Sequence, residues 1–174
     1  MNDVSVTTIR RLGPADTAAL QSLRLESLLR HPEAFGSDFA LEAQMAPEVF
    51  AKLFLPAAPG GMFGAFAGPT LVGMTALGVP APANQRHKGR IFAVYVQPLH
   101  RKHRVASQLL DAVIAQARAA RLVLITLSVT VGNAAARRLY VSYGFTPVGI
   151  VRRSTRVGSQ FYDEEFMTLD LDQP

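Results

Sequence analysis

The chain has 174 residues, of which 49% are hydrophobic and 18% are charged, and it contains no cysteine. This length and composition favour one globular domain, spanning residues 1–174, over a disordered chain. The lack of cysteine excludes disulfide bonds, thiolate nucleophiles and cysteine-based zinc sites.

The sequence predicts neither a membrane span nor a signal peptide. No apolar run reaches the roughly 18 residues that a transmembrane helix requires. Residues 1–5 include an acid and lack the basic segment of a signal peptide. We therefore expect a cytoplasmic protein with no membrane partner.

Basic residues give the chain a formal net charge of +5 and cluster at 86–90, 100–104 and 152–156. Such clusters indicate either a solvated surface or attraction of an anion, such as a phosphorylated cofactor or a nucleic acid. No basic run is interleaved with aromatic residues and the chain has no Trp, so we expect no nucleic-acid partner.

The first third of the chain predicts one strand and then helices. Residues 7–12 alternate as a strand, and Asp16 is placed to cap a helix. That helix has a leucine stripe and ends before Pro32. The stripe consists of Leu20, Leu23, Leu25, Leu28 and Leu29. Two further helices are predicted within 38–45 and 47–55.

The remainder predicts six strands and two helices. A hairpin is expected first, then a buried strand, a helix, a strand parallel to the buried one, a short helix and two final strands. The strands are predicted at 62–67, 71–79, 91–96, 122–131, 145–153 and 160–171, with a last loop at 156–159. The helices are predicted from about 105 to 120 and from Asn133 to Gly144. The fold class is therefore α/β (α+β) with a mixed sheet.

The segment from Val94 to Leu110 joins a strand, a basic turn and a helix N-terminus. Pro98 ends the strand, and His100 to Arg104 form the turn. A helix N-terminus carries unpaired N–H groups and the positive end of the helix dipole. This turn is therefore predicted to hold a phosphate group, such as the pyrophosphate of a nucleotide-like cofactor.

Two motifs of the chain resemble those of the GNAT superfamily of acyl-CoA-dependent N-acetyltransferases. The cofactor motif Q/R-x-x-G-x-G/A reads Arg101-Lys102-His103-Arg104-Val105-Ala106, directly after Val96-Gln97-Pro98. The motif N-x-x-A-x-x-L-Y-x-x-x-G-F matches at Asn133, Ala136, Leu139, Tyr140, Gly144 and Phe145. The resemblance covers nearly the whole chain. It implies a single GNAT-like domain whose mixed sheet of about six to seven strands has a splayed central parallel pair and helices on both faces.

The resemblance also implies the ligand and the site. The co-substrate would be acetyl-CoA, with no metal. Tyr140 would be the general acid that protonates the leaving thiolate, although helical spacing alone also fits a core tyrosine. Asn133 would bind the cofactor arm, cap its helix, or do both. The implied cofactor-binding residues are Val94, Tyr95, Val96, Arg101, Lys102, His103, Arg104, Val105, Ala106, Ser107, Asn133, Ala136 and Arg137.

Two positions depart from the family pattern. Arg104 stands where the motif has glycine, and we expect it to adopt an ordinary helical conformation with its side chain outward or on a CoA phosphate. Ser128 and Ile91 stand where branches of the family carry the glutamate that acts as general base. The candidates that remain are a water relay and the side chains of Glu26, Glu42, Asp163, Glu164 and His87.

The resulting hypothesis is an N-acetyltransferase in which a primary amine attacks acetyl-CoA directly. A catalytically impaired acyl-CoA-binding or sensing domain is the alternative, and a nucleic-acid-binding module would depend on charge alone. The acceptor, a small molecule or a peptide, is expected to meet the first helices and the loops near Phe35, 80–90 and 156–160. A basic surface favours an anionic or neutral acceptor over a polycation. A homodimer through the final strands is a further expectation.

Overall fold

The computed structural model describes residues 7–55 and 57–172. The predictions about residues 1–5, about position 56 and about the two ends of the domain lie outside the described residues. The strands are β1 (Thr7–Arg11), β2 (Gly61–Ala67), β3 (Thr70–Gly78), β4 (Lys88–Val96), β5 (Leu124–Thr130), β6 (Thr146–Val157) and β7 (Gln160–Asp170). The helices are α1 (Thr17–Arg30), α2 (Phe39–Ala43), α3 (Pro47–Phe54), α4 (Val105–Ala119) and α5 (Ala134–Ser142), with short 3₁₀ turns at 14–16, 32–34, 83–85 and 98–100.

The strands form one sheet in the order β1-β2-β3-β4-β5-β7-β6. Only β4 and β5 are parallel neighbours, since α4 crosses between them, and every other neighbouring pair is antiparallel. The predicted fold class, a single domain with a mixed sheet of about six to seven strands, is therefore confirmed, and the sheet has seven.

Helices cover both faces of the sheet. Val105, Leu109 and Val113 of α4 are fully buried on one face, together with Tyr140 of α5; we call this the α4 face. Leu20 and Leu23 of α1 pack on the opposite face with α2 and α3, and we call this the α1 face. The buried residues of α4, and those of α1 with one exception, follow the apolar stripes that the sequence periodicity predicts.

The predicted leucine stripe of α1 is wrong at one position. Leu29 is 62% exposed, whereas Arg24 and Ser27 are buried beside Leu23 and Leu28. Asp16 does occupy the position before α1, but its carboxylate binds Arg10 and the Gly13 N–H instead of capping the helix. The Arg10 hydrogen bonds lower the pKa of Asp16 to about 2.

The parallel strands β4 and β5 diverge after three residue pairs. The pairs are Lys88 with Leu124, Gly89 with Ile125, and Arg90 with Thr126. A β-bulge lies just beyond this point, where two residues of β4, Ala93 and Val94, face Thr75 of β3. A bulge bends its strand and increases the local twist. The pairing of β4 with β5 ends at Arg90, just before the bulge, so a bend at the bulge is a physical reason for the gap between the two strands.

The bulge also changes which side chains share a face. Phe92 and Ala93 are neighbours in sequence, yet both pack on the α1 face, and Val94 and Val96 point to the α4 face. Ala93 has a positive φ of 53°. The sequence carries no glycine at this point, so its pattern predicts an uninterrupted strand.

Two predicted boundaries were wrong. The buried strand begins at Lys88, three residues before Ile91, because Lys88 to Arg90 make the pairs with β5. The last loop is shorter than predicted, since Arg156 and Val157 still pair with β7 and only Gly158 and Ser159 form the turn. Within the described residues, every helix is too short or too polar to cross a membrane.

Candidate active site

A cavity of about 1330 Å³ opens where β4 and β5 diverge. Residues of β4 and β5 form its centre, the turn before α4 and the side of α5 form one end, and α1 with the segment after it forms the other. Its lining includes Val94, Tyr95, Val96, Arg101, Lys102, Arg104, Val105, Ala106, Ser107, Asn133, Ala136 and Tyr140. The fold thus brings most of the predicted site residues to one cavity.

The turn before α4 exposes backbone N–H groups to this cavity. The first helical hydrogen bond runs from Gln108 N to Arg104 O at 3.0 Å. The N–H groups of Val105, Ala106 and Ser107 therefore lie in the first turn, where an α-helix offers them no partner of its own. Together with the helix dipole, they form a site suited to a phosphate group.

The conformation predicted for Arg104 was wrong. Arg104 is the N-cap of α4 and is left-handed, with φ 62° and ψ 9°, and Lys102 also has a positive φ of 66°. The reason is that the chain must change direction between the turn at 98–100 and α4. The backbone thus keeps the shape that glycine favours, although the residue is arginine.

The left-handed backbone conformation of Arg104 leads to a prediction about the stability of the protein. Arg104→Gly is expected to raise the free energy of unfolding by about 1 kcal/mol, because it removes a strain of about 1–2 kcal/mol and gives back part of that as chain entropy. Urea denaturation measures this change. Arg104→Ala is the control, since it removes the same charge but keeps the Cβ atom, and it is expected to give no gain. Equal gains in both variants would mean that the arginine side chain, rather than the backbone, is the source of strain.

Arg101 fastens the turn to the neighbouring elements. Its Nε donates to Val96 O at 3.0 Å, and its Nη2 lies 3.0 Å from His31 Nε2. Because an arginine can only donate, His31 Nε2 must accept this hydrogen bond. The guanidinium is therefore an anchor between the turn, the end of β4 and the residue after α1.

Tyr95 supports the same region from the α1 face. Its hydroxyl donates to Glu26 Oε1 at 2.9 Å, and Glu26 Oε2 accepts from Gln97 Nε2 at 2.7 Å. Burial, together with the Glu26 carboxylate, raises the pKa of Tyr95 to about 12. Since its hydroxyl proton is committed to Glu26, Tyr95 has only its backbone N–H as a donor for a ligand between the strands.

Tyr140 lies on α5 and faces the cavity from the α4 face. It is 5% exposed, and its ring packs edge-on against Phe145 with 6.0 Å between the ring centroids. Burial raises the pKa of Tyr140 to about 12. Its hydroxyl has no hydrogen-bond partner within the part of the chain that the structure describes. The phenol is therefore protonated at neutral pH and free to donate to a ligand.

Three other predicted residues have different positions. Asn133 caps α5, because its Oδ1 accepts from Ala136 N at 3.2 Å, and it also lines the cavity. Arg137 pairs with Glu165 at 2.7 Å and is not part of the lining. His103 lies in the turn but is likewise not part of the lining. The roles predicted for His103 and Arg137 remain predictions.

A buried ion pair that the sequence does not reveal forms the α1 end of the cavity. Arg24 Nε and Nη2 each lie 2.9 Å from a Glu42 carboxylate oxygen, and the two residues are 5% and 1% exposed. Ser37 Oγ also donates to Glu42. The rings of Phe35 and Phe54 lie 4.8 and 5.3 Å from the centre of the guanidinium. The only sequence signal was the position of Arg24 between Leu20 and Leu28, one helical turn from each.

Of the five side chains predicted as candidates for the general base, two line the cavity and three do not. Glu42 and Glu164 line the cavity, and Glu26, Asp163 and His87 do not. Ser128 also lines it, and so does Ile91. No group of three or more His, Asp or Glu side chains within residues 7–55 and 57–172 is placed to hold a metal ion.

Comparison with known proteins agrees with this geometry. Residues 24–145 match the family model of the GNAT acetyltransferases, which is more than half of the chain. Among curated proteins, none is significantly similar in sequence.

Solved structures share the fold at low sequence identity. A GNAT-family acetyltransferase from Streptococcus pneumoniae superposes with a TM-score of 0.84 at 22% identity, covering 95% of this chain and 100% of that one. The protein yncA from Salmonella typhimurium, solved with its cofactor acetyl-CoA, gives 0.78 at 23% identity over 98% and 96%. The ribosomal-protein-alanine N-acetyltransferase from Brucella melitensis gives 0.74 at 22% identity over 94% and 99%. On the family match and the shared fold, the chain belongs to the GNAT family of acetyltransferases.

Proposed function

We propose that this protein transfers the acetyl group of acetyl-CoA to a primary amine. The observation that carries the proposal is that one cavity, between the diverging strands, is lined both by the N-terminus of α4 and by Tyr140. A phosphate site and a protonated phenol at the two sides of one cavity fit a ligand that has a pyrophosphate at one end and a thioester at the other.

The residues of this chain fit acetyl-CoA in two respects. The N–H groups of Val105, Ala106 and Ser107 would hold the pyrophosphate, with Lys102 and Arg104 beside it. The edge of β4 that faces β5 has no strand partner beyond Arg90. The backbone of Val94, Tyr95 and Val96 could therefore pair with the extended arm of the ligand, as a neighbouring strand would. That yncA was solved with acetyl-CoA supports this choice of ligand.

Tyr140 would then act as general acid. The acceptor amine attacks the thioester directly, because the chain has no cysteine that could carry the acetyl group. Tyr140 donates its proton to the leaving sulfur, and a phenol with a pKa of about 12 keeps that proton until the sulfur takes it. N–H groups at the end of β4 would polarise the thioester carbonyl, where negative charge develops.

Release of free CoA tests the proposal directly. Acetyl-CoA is incubated with the protein and a panel of alkylamines, amino acids and peptide N-termini, and a thiol reagent follows the CoA that is released. The protein adds no thiol background, because it has no cysteine. We expect thiol release that depends on the acceptor, and mass spectrometry should find the acetylated amine. Calorimetric binding of acetyl-CoA without any acetylated product would favour the acyl-CoA-binding domain.

The proposal also includes the cellular location of the protein and its oligomeric state. We place the protein in the cytoplasm, where acetyl-CoA and amines are both available, and we propose a homodimer through the final strands. The edge strand β6 leaves Val148, Ile150 and Val151 exposed, which supports such a contact. Light scattering at several concentrations tests the oligomeric state.

A further inference from the structure

Polar side chains near the end of β5 lie on the α1 face of the sheet, across from Tyr140. Leu127 and Val129 pack in the core of the α4 face. Since side chains alternate along a strand, Ser128 and Thr130 point to the α1 face. Thr130 Oγ1 confirms this direction, because it donates to Glu33 O in the turn at 32–34, at 3.0 Å.

Glu164 shares this face and this part of the cavity. Glu164 is paired with Thr130 in the antiparallel register of β5 and β7, and directly opposite residues point to the same face. Its neighbour Glu165 points the other way and pairs with Arg137 on α5. Glu164 lines the cavity, whereas Glu165 does not. The cavity therefore has a carboxylate on the α1 face and a phenol, Tyr140, on the α4 face.

Glu164 also keeps a free oxygen. Its Oε2 accepts one hydrogen bond, from Ser154 Oγ at 2.9 Å, and its Oε1 has no partner within the described part of the chain. A carboxylate that lines a cavity with one oxygen held and the other open can accept a proton from a ligand.

The other carboxylates that were candidates for the general base have hydrogen-bond partners of their own. Both oxygens of Glu42 are bound by Arg24, and both oxygens of Glu26 are bound by Tyr95 and Gln97. Asp163 accepts from the Arg153 N–H on a side that does not line the cavity.

The remaining His and Glu side chains of the cavity lining are His100, in the turn at 98–100 before α4, and the pair of His31 and Glu33. His31 Nδ1 lies 3.3 Å from Glu33 Oε1, and His31 Nε2 accepts from Arg101. Neither ring nitrogen of His31 is open to a ligand. Glu33 has one oxygen directed at His31, and its backbone accepts from Thr130 on the side of the cavity where Glu164 lies, so it is the rival that the experiment addresses.

We propose that Glu164 is the general base that takes the proton from the acceptor amine; this inference rests on the acetyl-transfer function proposed above. An N–H bond of the acceptor ammonium breaks, its proton moves to Glu164 Oε1, and the electron pair stays on nitrogen. That pair forms the C–N bond as the C–S bond breaks and the sulfur takes the Tyr140 proton. The second proton leaving nitrogen restores Tyr140, and Glu164 returns its proton to solvent.

Glu164→Gln tests this role with little change of shape, since the amide oxygen can still accept from Ser154. For the alkylamine that the wild type acetylates fastest, we expect kcat/KM at pH 7 to fall by about 10²–10⁴-fold. Binding of acetyl-CoA, measured by calorimetry, should stay within about twofold of the wild type, which shows that the variant folds. Asp163→Asn is the matched control on the same strand and should keep wild-type kcat/KM.

The pH dependence separates a base from a structural residue. Without a base, only acceptor molecules that are already deprotonated can react. The logarithm of kcat/KM for Glu164→Gln should therefore rise by about one for each pH unit between pH 6 and 9, while the wild type changes less. The other titratable groups on this part of the cavity are Tyr95 on β4, Tyr162 on β7, Glu33 and His31 after α1, and Tyr140 on α5.

Each outcome decides the question. Wild-type kinetics in Glu164→Gln, or the steep pH slope in Glu33→Gln instead, would overturn the assignment while leaving acetyl transfer intact. An amine-dependent loss confined to Glu164→Gln supports it. If the wild type acetylates no amine at all, the proposed function fails and the assignment of Glu164 fails with it. This result differs from the failure of the Glu164 assignment alone, in which the wild type still acetylates the amine.

Discussion

Tyr140→Phe is expected to lower kcat for acetyl transfer by about 10²–10⁴-fold, the usual contribution of a general acid. The variant loses only the hydroxyl, which has no hydrogen-bond partner within the described residues. The ring would keep its place against Phe145, so folding and acetyl-CoA binding should be retained. Steady-state kinetics with the best acceptor, together with calorimetry for acetyl-CoA, measure the two effects separately.

Tyr143→Phe is the matched control, at the residue that directly follows the same helix. The Tyr143 hydroxyl lies 2.9 Å from Ser107 O and 2.8 Å from Asp111 Oδ1, so it ties α5 to α4. Its one proton is shared between these two acceptors, so its removal should reduce stability by about 1 kcal/mol in total and leave kcat within a few-fold. If Tyr140→Phe turned over as fast as Tyr143→Phe, then Tyr140 would be a packing residue and water would protonate the sulfur.

The second large effect concerns the buried pair of Arg24 and Glu42. Glu42→Ala is expected to lower the free energy of unfolding by about 3–5 kcal/mol, because it leaves a buried guanidinium without its partner. Ser37 would lose its acceptor as well. The midpoint of urea denaturation measures the loss.

The double variant Arg24→Met with Glu42→Leu provides the comparison. It removes both charges and keeps most of the volume, so it should lose much less stability than Glu42→Ala, within about 1–2 kcal/mol of the wild type. A loss below about 1 kcal/mol in Glu42→Ala itself would contradict the buried pair. It would mean that water entering from the cavity solvates Arg24 adequately.

The sequence predicts the fold well because most of the determining interactions are local. Alternating or continuous apolar runs identify the strands, and the stripe of Leu109, Leu110 and Val113 identifies α4. Gly144, with a φ of 89°, follows α5 where the pattern predicts its end. Such signals lie within a few residues of the element that they describe, so one chain is enough to find them.

The features that escaped prediction depend on distant partners or on backbone geometry. Arg24 is buried because Glu42, 18 residues later, meets it, and no spacing rule links these positions. Ala93 and Arg104 adopt left-handed conformations that their side chains do not favour, so their residue types predict ordinary backbone there. Two of the base candidates, Asp163 and Glu164, are neighbours in sequence. The register of β5 with β7 is what shows that Glu164 shares a face with Thr130, and the sequence alone does not reveal this register.

The early divergence of β4 and β5 has a mechanical consequence. Within the described residues, β4 and β5 pair at only three positions, and this short ladder links the four-stranded half of the sheet, β1 to β4, to the three-stranded half. A ligand whose amides pair with the open edge would act as a temporary strand and brace the two halves. Any ligand that binds only the folded state adds stability, about 2.7 kcal/mol at a concentration of 100 times Kd. The concentration of such a ligand would therefore affect the free energy of unfolding of the protein, in addition to the rate of the proposed reaction.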